Sequence, residues 1–193
     1  MKREIKKIDL GIRFPSISRK RIILSDLLIW RNDVKSIPLF LTTHQLLLET
    51  DPQIKTQGVA ALYDEWLSNQ CFLDSQYPVT TAIVAGLPNA LQLVDPKFLK
   101  RRRLHSPEGK AALVHAISHI EFNAINIALD AIYRFRDMPL AYYGDWLQVA
   151  REEAYHFCLL QQHMQTLGHD YGDFPAHRGL WEVVEKTGHH VLV

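Results

Sequence analysis

Two long amphipathic helical patterns stand back to back in this chain, separated by a turn at Asp137-Met138-Pro139, and they constrain its fold more than any other feature. Ser106-Pro107-Glu108 opens the first: a capping hydroxyl, a proline whose missing N–H costs nothing in the first turn, and an acid near the positive end of the helix dipole. The pattern predicts a helix to about Arg136. The second reads from Asp145, taken as its N-cap, to Leu167, with Gly168 as the left-handed residue that ends it. The predicted elements are all helical, which directs the chain towards an all-α bundle, and if the two long helices pack antiparallel their facing sides lie across from each other.

The rest of the chain is less regular. Residues 1–43 mix basic clusters with short apolar runs and read as an irregular extension. A helical pattern starts at His44, and Asp51-Pro52 marks a new helix start. From residue 74 to 104 the prolines at 78, 88 and 96 and Gly86 predict an extended connector that wraps a core built elsewhere. The division expected is therefore 1–43, an extension; 44–104, a helix with its connector; and 105–193, the helical core. A last helical pattern begins near Leu180 and is still running at Val193.

Composition excludes several classes. Of 193 residues, 47% are hydrophobic and 22% charged, the balance of a globular chain with a sizeable core. A net charge of +1 gives no general pull towards nucleic acid or anionic lipid. Two cysteines, Cys71 and Cys158, make no disulfide framework, and Cys158 reads as a small core residue. The basic start lacks the apolar stretch of a signal peptide, and no early run is long enough to span a bilayer, so a cytoplasmic protein without a membrane partner is expected.

The chemistry lies in the helix faces. On the first long helix Val114, Ile117, Ile125, Ala128 and Ile132 share an apolar side, with Glu121 at its centre. His115, His119, Asn123, Asn126, Asp130 and Arg134 fall on the other side. On the second, Trp146, Val149, Ala150, Phe157, Leu160, Met164 and Leu167 form the apolar side, and Glu153 and His156 fall inside it at i, i+3. A carboxylate in an apolar face is costly without a cation or donors to meet it. Two carboxylates and an imidazole from facing helices are a donor set suited to iron or manganese. The simpler reading has Glu121 pairing with His156 or an arginine while the helices merely pack.

Other groups are weaker candidates. His115 and His119 have a zinc-like i, i+4 spacing without a third ligand, and a hydrogen-bonding role is expected of them. His163 shares a face with His156. The loop His169 to His177 carries polar and aromatic groups, although turn formation by Gly172, Asp173 and Pro175 accounts for most of it. Glu182, Glu185 and His189 read as a solvated face. The basic run Lys97 to Arg103 could meet a phosphate backbone, but five basic residues beside a helix start are more often solvated, so tRNA or other RNA is the lesser reading.

Three stretches make a resemblance recognisable. His119-Ile120-Glu121, the Glu-Glu-Ala-x-His-Phe run at Glu152 to Phe157, and the Gly-His-Asp-Tyr-Gly-Asp-Phe-Pro-Ala-His loop at Gly168 to His177 closely resemble a bacterial family catalogued as domain of unknown function 455, in the ferritin-like superfamily. AGLPNALQLVDP, from Ala85 to Pro96, is similar to that family's connector. The resemblance covers roughly His44 to the end. It implies a ferritin-like helical bundle with a non-haem di-iron or di-manganese carboxylate site, as in oxidases and hydroxylases such as the MiaE-type tRNA hydroxylases. Carried over, Glu121 is the carboxylate of the first metal helix, and Glu153 with His156 is the Glu-x-x-His of the second. Family members continue with a further carboxylate and a second Glu-x-x-His, whereas His156 is the one histidine here with a glutamate three residues before it. The expectation is a bundle incomplete at the C-terminus. Its half site is either completed by a homodimer or left as a helical domain without a complete metal site.

Overall fold

A computed structural model describes residues 29–31, 34–80, 84–100 and 102–191. Residues 1–28 of the expected extension lie outside them. The described part is an all-α bundle with a small sheet at one edge. Its elements are β1 (Ile29–Arg31), β2 (Val34–Pro38), α1 (Leu39–Leu48), α2 (Pro52–Leu67), β3 (Cys71–Phe72), α3 (Pro107–Arg134), α4 (Leu140–Thr166) and α5 (Gly179–Thr187). β2 lies between the other strands, antiparallel to β1 and parallel to β3.

α3 and α4 form the central antiparallel pair, with α1 and α2 packed across them. Leu47, Val59, Leu62, Phe122, Ile125, Leu129, Leu147 and Phe157 are fully buried where the four helices meet. The Phe122 and Phe157 rings stand 5.1 Å apart. Burying each such side chain contributes roughly 1.5–3 kcal/mol. α3 is long and apolar enough to cross a membrane by length and composition, but half of its most apolar window is buried inside the fold.

The helix starts with local signals form where expected. The Asp51 carboxylate accepts the N–H groups of Gln53 and Ile54 with Pro52 in the first turn, and Ser106 Oγ accepts the N–H of Gly109. Gly168 ends α4 at φ +80°, with the His169 N–H bonded to Met164 O.

Three boundaries differ from expectation, each for a tertiary reason. α1 begins at Leu39, five residues before His44, and its N-cap Pro38 offers no side-chain bond. Asp74, far along the chain, instead accepts the N–H groups of Phe40 and Leu41 at 2.7 and 3.0 Å. α4 begins at Leu140, so Asp145 is an interior residue rather than the N-cap. Tyr142 and Tyr143 donate to the carbonyls of Ala131 and Phe135 at the end of α3, which locks the turn of Asp137 (φ 57°) and lets α4 start early. α5 stops at Thr187 instead of running on to Val193. Gly188 lies beneath the Arg134 guanidinium, where a Cβ would meet Nη1.

The connector does wrap the core. The Tyr133 hydroxyl donates to Pro78 O and accepts the Thr80 N–H. Farther on, Leu93 bridges Ala176 in parallel, tying the connector to the loop after α4.

Candidate metal centre

The fold buries most of both sides of α3: Ile125, Ala128 and Ile132 of the expected apolar side are fully buried. The polar series His115, His119, Asn123, Asn126 and Asp130 is buried, while Ile117 on the apolar side is 36% exposed. The polar side is buried because partners meet it. His119 Nε2–H donates to His177 O at 3.0 Å, which leaves Nδ1 to accept from the Tyr171 hydroxyl at 2.8 Å. His115 Nε2 accepts the Gly172 N–H at 3.1 Å. Burial holds both imidazoles below the ordinary range, His115 at about 4. Both are neutral clasps holding the 168–178 loop on α3, the hydrogen-bonding role expected of them. Asp130 receives a bidentate Arg134 at 2.8 and 2.9 Å.

Lys55 was not singled out from the sequence, although it shares the buried face of α2 with Val59 and Leu62. Its ammonium is fully buried and donates to Leu47 O, Gly86 O and Asn126 Oδ1. The Phe122 ring lies 4.7 Å below it. Three acceptors satisfy an ammonium's three N–H groups, but desolvation still pushes its pKa down to about 7.

The other side of α3 carries the candidate centre. Glu121 on α3 and Glu153 and His156 on α4 converge because the helices run antiparallel. One ligand atom from each lies within 4.8 Å of the others, and among the described residues this is the one such cluster. It is not inside a closed core. The side-chain exposures are 24% for Glu153 and 50% for His156, so the face expected to be buried is partly open. His156 Nδ1 is 3.1 Å from Glu153 Oε2.

A protonated Glu121 can donate a hydrogen bond to Glu153, which couples the two carboxyls. Burial, then the bond and the adjacent Glu153 charge, push Glu121 up to about 7. The bond from Glu121 pulls Glu153 below the carboxylate range. Two oxygen donors and one imidazole nitrogen fit iron, manganese or zinc, and three side chains leave coordination positions open.

The remaining candidates lie elsewhere. His163 is exposed and outside the cluster. Glu182 and Glu185 are exposed on α5, where Glu185 pairs with Arg178 at 2.6 Å. In the basic run, Lys97 pairs with Asp95, and Arg102 pairs with Glu108 while stacking on Phe174.

Comparisons with known proteins concern the same part of the chain. Residues 48–193 match the family described as protein of unknown function (DUF455). An uncharacterized protein of Haemophilus influenzae (strain Rd) is 44% identical over 155 residues, which is 75% of this chain and 54% of that protein. The chain thus spans about half the length of the curated relative it matches. No solved structure matches it. With the family's match covering α3, α4 and all three candidate ligands, the chain belongs to the DUF455 family.

Proposed function

We propose that this chain is a metal-binding bundle of the ferritin-like kind, with Glu121, Glu153 and His156 as ligands to iron, or alternatively manganese, and with oxidation or hydroxylation as its chemistry. The observation that carries this reading is the convergence of two carboxyls and one imidazole from two helices, with a ligand atom of each within 4.8 Å of the others. Bound iron would supply redox chemistry with dioxygen at the open coordination positions. Glu121 and Glu153 would both be ionised on binding and neutralise a divalent charge. His156 adds an imidazole donor at the exposed edge, and the Phe122 and Phe157 rings pack the two ligand helices against each other.

The second reading is a helical domain with no working metal site, favoured by the small number of ligands: three side chains fall short of the six that a dinuclear carboxylate centre uses. Elemental analysis after anaerobic loading with ferrous ion and desalting separates the two. Near-stoichiometric iron, lost in Glu153→Ala without loss of helicity, is the expected result. A protein that retains no iron or manganese would remove the metal reading.

A further inference from the structure

Positive charge is unevenly spread along this chain. From Asp95 to Lys110 stand six lysines and arginines and two acids, a net charge of +4, whereas the whole chain carries +1. The remaining residues therefore sum to −3, and the stretch is a local concentration of cations that the overall balance conceals. The fold neutralises only two of its members. Asp95 holds Lys97 and Glu108 holds Arg102, both at 3.1 Å. Lys100, Arg103 and Lys110 are exposed and meet no carboxylate among the described residues.

The fold also gathers these three cations at one end of α3. The Arg103 carbonyl accepts the N–H and the hydroxyl of Ser106 at 3.2 and 2.8 Å, which turns the run back onto the first turn of the helix. That carbonyl lies against Gly109, where a Cβ would collide with it, so the glycine lets Arg103 approach the neighbour of Lys110. Two apolar side chains stand among the cations: Phe98 is 67% and Leu104 59% exposed. Phe98 ends a single 3-10 turn, Pro96–Phe98, that Asp95 caps by accepting the Lys97 N–H. The Lys97 ammonium lies 5.0 Å from the centre of its ring. Burial does not account for a ring held this far out, and an aromatic face beside a cation is a platform on which a nucleobase stacks.

The backbone of this surface narrows the choice of polyanion. It consists of the end of the connector, one 3-10 turn and the first turn of α3, with no projecting helix or β-ribbon to enter a duplex groove. A bilayer would call for the apolar face of an amphipathic helix, whereas Phe98 and Leu104 stand on irregular backbone. An unpaired strand suits what is present, because its phosphates can follow scattered cations while its bases are free to stack. We propose that Lys100, Arg103 and Lys110 together with Phe98 form a binding surface for single-stranded nucleic acid, the three cations on phosphates and the Phe98 ring against one base. This surface stands independently of the metal reading above.

The experiment is fluorescence anisotropy of labelled oligouridylate and oligothymidylate, about 12 nucleotides long, titrated with the full chain. Three phosphate contacts give a salt slope near −2, hence a roughly 20-fold loss of affinity between about 50 and about 200 mM salt. Replacing all three cations together, by Lys100→Gln, Arg103→Gln and Lys110→Gln, should remove most of the binding and with it the salt dependence. Phe98→Ala should weaken binding about 5-fold or more at fixed salt, while Phe98→Trp retains it. Lys186→Gln, at an exposed lysine of α5, is the control and should change nothing. Every one of these positions is exposed, so the circular dichroism of each variant should match that of the parent chain. Failure of both oligonucleotides to bind at low salt would overturn the proposal, as would binding that survives the triple replacement. A complex indifferent to Phe98→Ala, or matched by a duplex of the same length, would remove the stacked base and so the single-strand assignment. Capture by phosphatidylserine vesicles, with neither oligonucleotide bound, would give the surface to lipid instead.

Discussion

α3 buries Phe122, Ile125, Ala128, Leu129 and Ile132 as the usual rule demands, but two of its strips depart from that rule, one polar and inside, the other apolar and outside. His115, His119, Asn126 and Asp130 are 6% exposed or less, whereas Leu113 and Ile120, on the same helix, are about half exposed at 46% and 51%. Both sides follow from one principle. A polar group can be buried when a specific partner meets it, and each of these four finds one: a loop N–H, a tyrosine hydroxyl with a carbonyl, a lysine and an arginine. An apolar stripe makes no such demand and stays wherever no cover is supplied. The polar side thus determines which loop sits on the helix, and the apolar side marks the surface still available.

The largest effect should come from breaking the polar side at its most costly group. Lys55→Met removes the donor that Gly86 O and Asn126 Oδ1 share. Leaving two buried acceptors unpaired costs on the order of 1–3 kcal/mol each, partly offset by the apolar replacement, so a net loss of about 2–4 kcal/mol is expected. Chemical denaturation measures it, and an unchanged midpoint would show that the ammonium contributes nothing to the clasp.

A smaller effect should appear with pH. His115 is neutral in the fold, with its pKa lowered from 6.5 to about 4 by burial first and then by His119 and Arg102, against the opposing pull of Asp173. The unfolded chain therefore takes up a proton before the folded chain does. On this account stability is fully present above about pH 6.5 and is lost progressively as pH falls towards about 4. Hydrogen exchange of residues 169–176 should accelerate across that window. His115→Gln, which does not titrate, should flatten the part of the profile that is due to this group.

The smallest effect belongs to the open side. Ile117→Gln or Ile120→Gln should change the stability of the single chain by less than about 0.5 kcal/mol, because little surface is buried there to lose. A loss of several times that in dilute solution would mean that the stripe is covered within one chain, and the contrast between the two sides would disappear.

Much of this architecture was legible in the sequence where its cause was local. Ser106-Pro107, Asp51-Pro52 and Gly168 each carry their own capping chemistry, and the helices start or end there. Glu121, Glu153 and His156 stood out because an acid and a Glu-x-x-His interrupted apolar faces. Their convergence needed only the antiparallel pairing that the short turn imposes. Lys55 was missed because a lysine among glutamine, threonine and isoleucine looks like an ordinary surface residue, until three oxygens from three other segments surround it.

What the sequence determined by itself, then, were the long helices, most of their capped ends and the three candidate ligands, since all of these are read from patterns within a few residues along the chain. Only the tertiary structure decided that the polar face of α3 is buried too, where α1 and α4 begin, and how far the ligand cluster stays open. Those outcomes depend on groups brought from far along the chain: Asp74 capping α1, Tyr142 and Tyr143 closing the turn into α4, and Tyr171 meeting His119. A local pattern records which groups need a partner, and the fold decides which partner arrives.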